Sequence, residues 1–444
     1  MADEVPEVPL ALVSNTYLEK KAAQIRQKSI LWEGYERANL LTHTHVELIK
    51  AIDKRSPDEV QSAVEAKGET YASLVLHLLQ NLSRLDTVQY VCVLTDNILS
   101  GHDNNALYFH AVSSENPDYP FAPFFKALRL NDEFTALQAS KILTTLACSA
   151  PQPDKLDLSD LWLWITEQLN GKHPEIVDLV VQELESLLRV RQYRLPFWHT
   201  RNAVKELVLN LHKVASTPQM QYQIIFCLWL LTFETEIAKH INTEYDIIPK
   251  LVEIAKSAVK EKVIRVIIAT LRNLVEKAPA DNLAAMLVAK LLPFTENLSS
   301  RKWSDPDITE DIEYLNEKLQ ENFQSLTTFE QYASELETGK LEWSPPHKSE
   351  TFWKENASKL EENNYVLLRT LARILSTATS NEVLAVAAND IGQYVKYSSK
   401  AGKRFLQDIG AKQRIMELMT HEDQDVRYQA LSAVQKYMHQ AWDF

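Results

Sequence analysis

Eight apolar positions recur along this chain at a nearly fixed interval. Val88, Phe134, Ile176, Met220, Val263, Ile308, Val383 and Val426 each follow polar or charged residues and open an apolar stripe. The successive gaps are 46, 42, 44, 43, 45, 75 and 43 residues. A period in the low forties restricts the chain to stacked units of two or three helices, of the HEAT or armadillo kind. One such unit cannot bury both of its faces, so neighbours stack into a continuous core. The stripes have helical spacing. In KEKVIRVIIATLRNLVEK (Lys260–Lys277), Val263, Val266, Ile267, Thr270, Leu271 and Leu274 fall on one face of a 3.6-residue helix. In DQDVRYQALSAVQKY, Val426, Ala430, Ala433, Val434 and Tyr437 do the same.

Glycine usage agrees with this reading. The chain has 8 glycines in 444 residues, against roughly 7% in an average protein. Hairpins and phosphate-cradling loops depend on glycine for positive φ, so sheet and nucleotide loops are disfavoured. The expected fold is all-α, a HEAT/armadillo-like helical-repeat solenoid with a smaller C-terminal helical-repeat domain. Residues 1–16, with Pro6 and Pro9, read as a loose tail. Residues 17–338 read as the N-terminal repeat domain, with a charged helical stretch over 299–340 that starts near Ser304-Asp305-Pro306. The stretch GKLEWSPPHKSE (339–350) reads as a linker or hinge, because consecutive prolines cannot continue a helix. Its marked residues are Gly339, Trp343, Ser344, Pro345 and Pro346, with Trp353 a further packing anchor. Residues 351–444 then form the C-terminal domain.

Charge separates the two parts. The chain carries 47 Lys and Arg against 60 Asp and Glu, a net charge of −13. Residues 351–444 hold 12 basic and 11 acidic residues, so all of the acidic excess lies upstream. This balance excludes general nucleic-acid binding, which needs a basic footprint, and it fits two domains with different partners. Cys92, Cys148 and Cys227 lie far apart in apolar stretches, which predicts free thiols in a reducing compartment. The start, MADEVPEVPL, lacks the order of a signal peptide. The longest strongly apolar run, Ile224–Phe233, is too short to span a bilayer. A cytosolic protein without membrane insertion is expected.

Motifs for chemistry are missing. The sequence has no GxxxxGK[ST], GxGxxG, HExxH, paired CxxC or GxSxG. His43 and His45 are two residues apart, so their side chains diverge on a helix and hold no metal without a third ligand. Glu310, Asp311 and Glu313 read as solvated charge. No catalytic, nucleotide-binding or metal residue and no cofactor is expected. Trp162, Trp164, Trp198 and Trp229 read as core, with groove lining the alternative. Trp198 and Asn202 fit one rung of the Trp-xxx-Asn ladder of importin-type armadillo grooves, and a single rung is no ladder. Lys396, Lys400, Lys403, Arg404, Lys412 and Arg414 fall within nineteen residues, opposed only by Asp408. They read either as a solvated helix face or as a docking patch for an acidic partner. The polar connection Ser376–Glu382 is a second contact candidate.

Longer strings carry a family resemblance. QMQYQIIFCLWLLTF (Gln219–Phe233), KEKVIRVIIATLRNLVEK (Lys260–Lys277), WSDPDITEDIEYLNEKL (Trp303–Leu319), LEWSPPHKSETFWKENA (Leu341–Ala357), VLAVAANDIGQYV (Val383–Val395) and HEDQDVRYQALSAVQKYM (His421–Met438) closely resemble the H-subunit family of V-type (vacuolar) proton ATPases. The resemblance runs from about Arg55 to the end and is weakest over the first fifty residues and around 150–175. It implies a non-catalytic regulatory subunit of the soluble sector, placed on the cytoplasmic face of vacuolar, lysosomal or endosomal membranes. It implies an N-terminal domain on the peripheral stalk. It also implies a C-terminal domain on the cytosolic part of the membrane sector's largest subunit. When the soluble sector detaches, that domain is expected to bridge stator to catalytic head and rotor and to block MgATP hydrolysis. In the assembled pump the regulatory subunit is expected to be needed for proton transport. The alternative is an armadillo-type adaptor that binds peptides of trafficking proteins.

Overall fold

The structure, a computed structural model, describes residues 15–114, 116–213 and 217–439. Among these residues every regular element is a helix. The loose-tail expectation for 1–16 lies outside the described residues apart from Asn15 and Thr16, which open the first helix, Thr16–Arg26.

Each of the eight anchors sits in the first turn of a helix. The helices are Leu85–Leu99, Glu133–Cys148, Pro174–Arg189, Pro218–Leu231, Glu261–Lys277, Pro306–Thr338, Asn381–Tyr397 and Gln424–His439. The first five pack each against the next, and so do the last two. Seven of the anchors are buried and Val383 is half-buried. Local sequence explains why the helices begin there. Pro174, Pro218, Pro279 and Pro306 open helices at the position where a missing N–H costs nothing. The Asp132 side chain accepts from the Thr135 backbone N–H at 2.9 Å, capping the helix that carries Phe134.

Two shorter helices precede each of these in the best-formed repeats. Thr235–Tyr245 and Ile247–Ser257 precede Glu261–Lys277, and Pro279–Val288 and Leu291–Ser299 precede Pro306–Thr338. This is a three-helix unit. The turn between its first two helices needs a left-handed residue, supplied in successive repeats by Asn202 (φ 63°), Asp246 (φ 53°) and Lys290 (φ 58°). Gly410 (φ 79°) occupies the same turn ahead of Ala411–Leu418. A chain poor in glycine thus makes most of its repeat turns with polar residues that tolerate this conformation at some cost. Buried amides tie neighbouring units together. The Asn282 amide donates to the carbonyls of Ala238 (3.0 Å), Leu274 (3.2 Å) and Ala278 (2.9 Å). The Asn210 amide donates to the Leu169 carbonyl at 2.8 Å.

Contacts divide the chain into two compact units, Met1–Asn316 and Glu317–Phe444. The division falls within the helix Pro306–Thr338, upstream of the sequence-predicted boundary at 339–350. The reason is packing. Tyr332, Leu336 and Leu341 belong to the same apolar core as Trp353, Leu371, Ile391 and Ala430. The proline-rich stretch is therefore built into the second unit rather than strung ahead of it. Gly339 (φ 71°) ends the long helix, and its N–H donates to the Glu335 carbonyl at 3.0 Å. Pro345 and Pro346 start a one-turn helix, Pro345–Lys348.

Candidate partner-binding surfaces

Among the described residues no group of three or more His, Cys, Asp and Glu could hold a metal ion. His43 pairs with Glu36 at 3.0 Å. His45 turns instead to His77, ring centroids 4.9 Å apart, an approach across two helices that spacing two could not reveal. Burial, and then the neighbouring His77, lowers the proton affinity of His45. Glu310 and Asp311 both pair with Arg272 of the preceding repeat, so this acidic patch joins units instead of facing a substrate. Cys92 and Cys227 are buried and Cys148 is partly so, and all three are unbridged. Burial pushes the Cys92 thiol up to about 12.

The most distinctive open surface lies on the repeat helices themselves. Thr16–Arg26 packs against Leu85–Leu99 and Glu133–Cys148. The side-chain amide of its N-cap residue Asn15 donates a hydrogen bond to the Glu175 carbonyl at 2.8 Å, and the Tyr17 hydroxyl donates one to Glu133. The next helices present half-buried side chains in register: Asp178, Gln182, Glu185 and Arg189, then Tyr222, Phe226 and Trp229, then Ala269 and Arg272. Tyr222, Phe226, Trp229 and Phe233 form a continuous run of rings, with centroids 5.8, 5.0 and 4.9 Å apart. Cations sit on three of the rings. Lys262 lies 5.1 Å from Tyr222, Arg189 lies 5.0 Å from Phe226, and Arg194 lies 5.3 Å from Phe233. Arg189 is paired with Glu185 at 2.9 Å and buried Arg194 with Glu234 at 3.2 Å, so these cations hold the rings in place and the rings themselves are what the stripe offers to apolar side chains. Periodicity alone hid this stripe, because a half-buried aromatic at helical spacing looks like core.

The single ladder rung dissolves. Trp198 lies on the short helix Arg194–His199 and packs edge-on against Tyr245 (5.7 Å, 89°), while Asn202 is the left-handed turn residue. Trp162 is buried against Tyr193 and Phe197, and Trp164 is half-buried.

In the second unit the basic residues do not act alike. Lys396 pairs with Glu350 at 2.8 Å. Arg414 is half-buried, bound to Glu417 (3.1 Å) and the Leu375 carbonyl (3.4 Å). Lys403 is half-buried, and desolvation followed by the charge of Lys400 lowers its proton affinity. Lys400, Arg404 and Lys412 remain on the surface. Ser376–Glu382 contains a three-residue connection, Ala378–Ser380, between helices Glu362–Thr377 and Asn381–Tyr397.

Two family models, both of the V-ATPase H subunit, match the chain, one over residues 16–319 and the other over 325–442. The chain belongs to the V-ATPase H-subunit family. Relatives from this family in other organisms match along almost the whole length. The V-type proton ATPase H subunit of Drosophila melanogaster is 36% identical, over 99% of this chain and 94% of its own. The probable V-type proton ATPase H subunit of Oryza sativa subsp. japonica is 32% identical, over 95% and 97%. The V-type proton ATPase H subunit of Dictyostelium discoideum is 30% identical, over 94% and 93%. The junction of the two H-subunit models, between 319 and 325, falls beside the contact division at Asn316/Glu317. No helix among the described residues is long and apolar enough to cross a membrane.

Proposed function

We propose that the chain is the regulatory subunit of a V-type proton ATPase, needed for ATP-driven proton pumping in the assembled complex. In the detached soluble sector it inhibits MgATP hydrolysis by bridging stator and rotor. Family membership over both units supports this reading, and the two-unit build carries the mechanism. A brake of this kind needs two separately folded bodies with different surfaces, one to hold and one to exchange partners. The aromatic–cation stripe suits the first body to the peripheral stalk. The surface cations Lys400, Arg404 and Lys412 suit the second to acidic surfaces of the catalytic head, the rotor or the cytosolic domain of the membrane sector's largest subunit. The working location is the cytosolic side of vacuolar, lysosomal or endosomal membranes. Since residues 339–350 are built into the second unit, the pivot of any domain exchange lies upstream of Tyr332, in the long helix.

Adding the full chain to the isolated soluble sector is expected to lower its MgATP hydrolysis. Reversing the charge of Lys400, Arg404 and Lys412 together is expected to weaken that inhibition several-fold with unchanged circular dichroism. Full-strength hydrolysis in the presence of saturating wild-type chain would refute the brake. The stripe also favours a second reading, an armadillo-type adaptor that binds extended peptides of trafficking proteins. An adaptor would not co-elute stoichiometrically with the other ATPase subunits.

A further inference from the structure

His347 is fully buried and touches a carboxylate with each ring nitrogen. Nδ1 lies 2.7 Å from Asp390 Oδ2, and Nε2 lies 2.8 Å from Glu335 Oε2. A neutral imidazole has one N–H, so it satisfies one such partner and turns a lone pair toward the other. Two short contacts to carboxylates are the geometry of an imidazolium donating twice. The three residues come from three elements: Glu335 from the end of the helix Pro306–Thr338, His347 from the turn Pro345–Lys348, and Asp390 from the helix Asn381–Tyr397.

The surroundings add to the lock. The Asn389 amide donates to the His347 carbonyl at 2.9 Å and to Asp390 Oδ1 at 3.2 Å. The Ser344 hydroxyl donates to Glu335 Oε2 at 3.2 Å. The Tyr332 ring packs 5.5 Å from the imidazole. Other titratable groups face the site. Lys436, from the helix Gln424–His439, feels the charge of Asp390. Glu350, at the start of the helix Glu350–Asn356, pairs with Lys396, and both act on Lys436. Burial works against a charged His347. The hydrogen bonds and charges of Asp390 and Glu335 outweigh it, so the imidazole holds its proton above the ordinary range.

We propose that doubly protonated His347 is a clasp that fastens residues 339–349 to the core of the second unit, and that loss of one proton releases them. The sign follows from linkage. A histidine whose proton is held more tightly when folded stabilises the fold at low pH, and this is lost as pH rises through the folded-state midpoint. The clasp is therefore closed below the raised midpoint of His347 and opens above it. Its regulatory meaning rests on the function proposed above. A pump that removes protons from the side this protein faces raises the pH there, which favours release in the segment nearest the pivot.

The test needs no pump, so failure of the clasp and failure of the proposed function are distinguishable. Histidine-labelled full-length chain is followed by NMR from pH 5.5 to 9, with hydrogen exchange of peptides spanning 339–352 read in parallel and corrected for the intrinsic pH dependence. At pH 6, His347 is expected to carry both ring protons, with a midpoint above the ~6.5 of free histidine. Exchange over 339–352 is expected to accelerate at least tenfold through the same midpoint. Glu335 is partly exposed, so Glu335→Gln leaves the fold intact and is expected to lower the midpoint and the release together. His347→Gln is expected to leave 339–352 open at every pH. A neutral imidazole at pH 6 beside a protonated carboxyl overturns the proposal. So does an opening over 339–352 that ignores pH or that Glu335→Gln leaves unshifted. Should His347→Gln fail to fold, the Glu335→Gln comparison decides alone.

Discussion

Single residues in this chain mostly join repeats, and one does so under electrostatic strain. Glu183 is fully buried, accepts from the Ser140 hydroxyl at 2.9 Å, and leaves Oε2 without a partner. Burial pushes its carboxyl up to about 8, against the opposing pull of Ser140 and Lys141. The folded state thus holds a proton that the unfolded chain gives up near the ordinary carboxylate value. The stability this contributes is complete below about pH 4.5 and fades as pH rises toward 8. Glu183→Gln removes the titration and keeps the shape. Its melting temperature is expected to match wild type at pH 5 and to exceed it by several degrees at pH 9. Equal melting at both values would show that the carboxyl is not held neutral. Nothing in the sequence marks this residue, because a glutamate inside an amphipathic helix reads as solvated until the neighbouring repeat covers it.

Among elements, the repeat turn shows how little glycine the architecture needs. Lys290 adopts φ 58° where Gly410 adopts φ 79° in the corresponding turn. A left-handed lysine costs roughly 1–2 kcal/mol, and glycine there adds back about 0.5–1 kcal/mol of backbone entropy. Lys290→Gly is expected to stabilise the chain by about 0.5–1 kcal/mol, read as an upward shift in thermal or urea unfolding. Much of the element pattern is legible in the sequence. The anchors from Val88 to Val426 mark helix starts because apolar spacing at a fixed period is imposed by stacking itself. The helix start at Pro306 is legible from local chemistry. The turn residues are not, since Asn202 and Lys290 carry no mark of positive φ. The proline pair misleads for a related reason. Gly339 ends one helix and Pro345 and Pro346 start another, and only the burial of residues such as Leu341, Pro346 and His347 shows that the break is packed. The basic cluster is legible as charge, whereas the ties of Lys396 and Arg414 depend on Glu350 and Leu375, 46 and 39 residues away.

For the whole molecule, the position of the division at Asn316/Glu317 decides which fragments can stand alone. A fragment of residues 317–444 keeps Tyr332, Leu336 and Leu341 against Trp353, and it is expected to melt in one cooperative transition. A fragment of 351–444 loses those three buried side chains, along with Glu335 and His347. It is expected to unfold broadly, with a near-ultraviolet signal already reduced at low temperature. Equal cooperativity of the two fragments would move the boundary back to the prolines. The first unit carries a different consequence, one of timing. Most of its contacts join neighbouring repeats, so each layer can form soon after the next is synthesised. The bond from Asn15 to the Glu175 carbonyl spans 160 residues. At about 5–20 residues per second, the first helix waits roughly 8–30 s for that partner to be made. The helix Thr16–Arg26 thus docks after the repeats it packs on, and its arrival reports that those repeats are already in place.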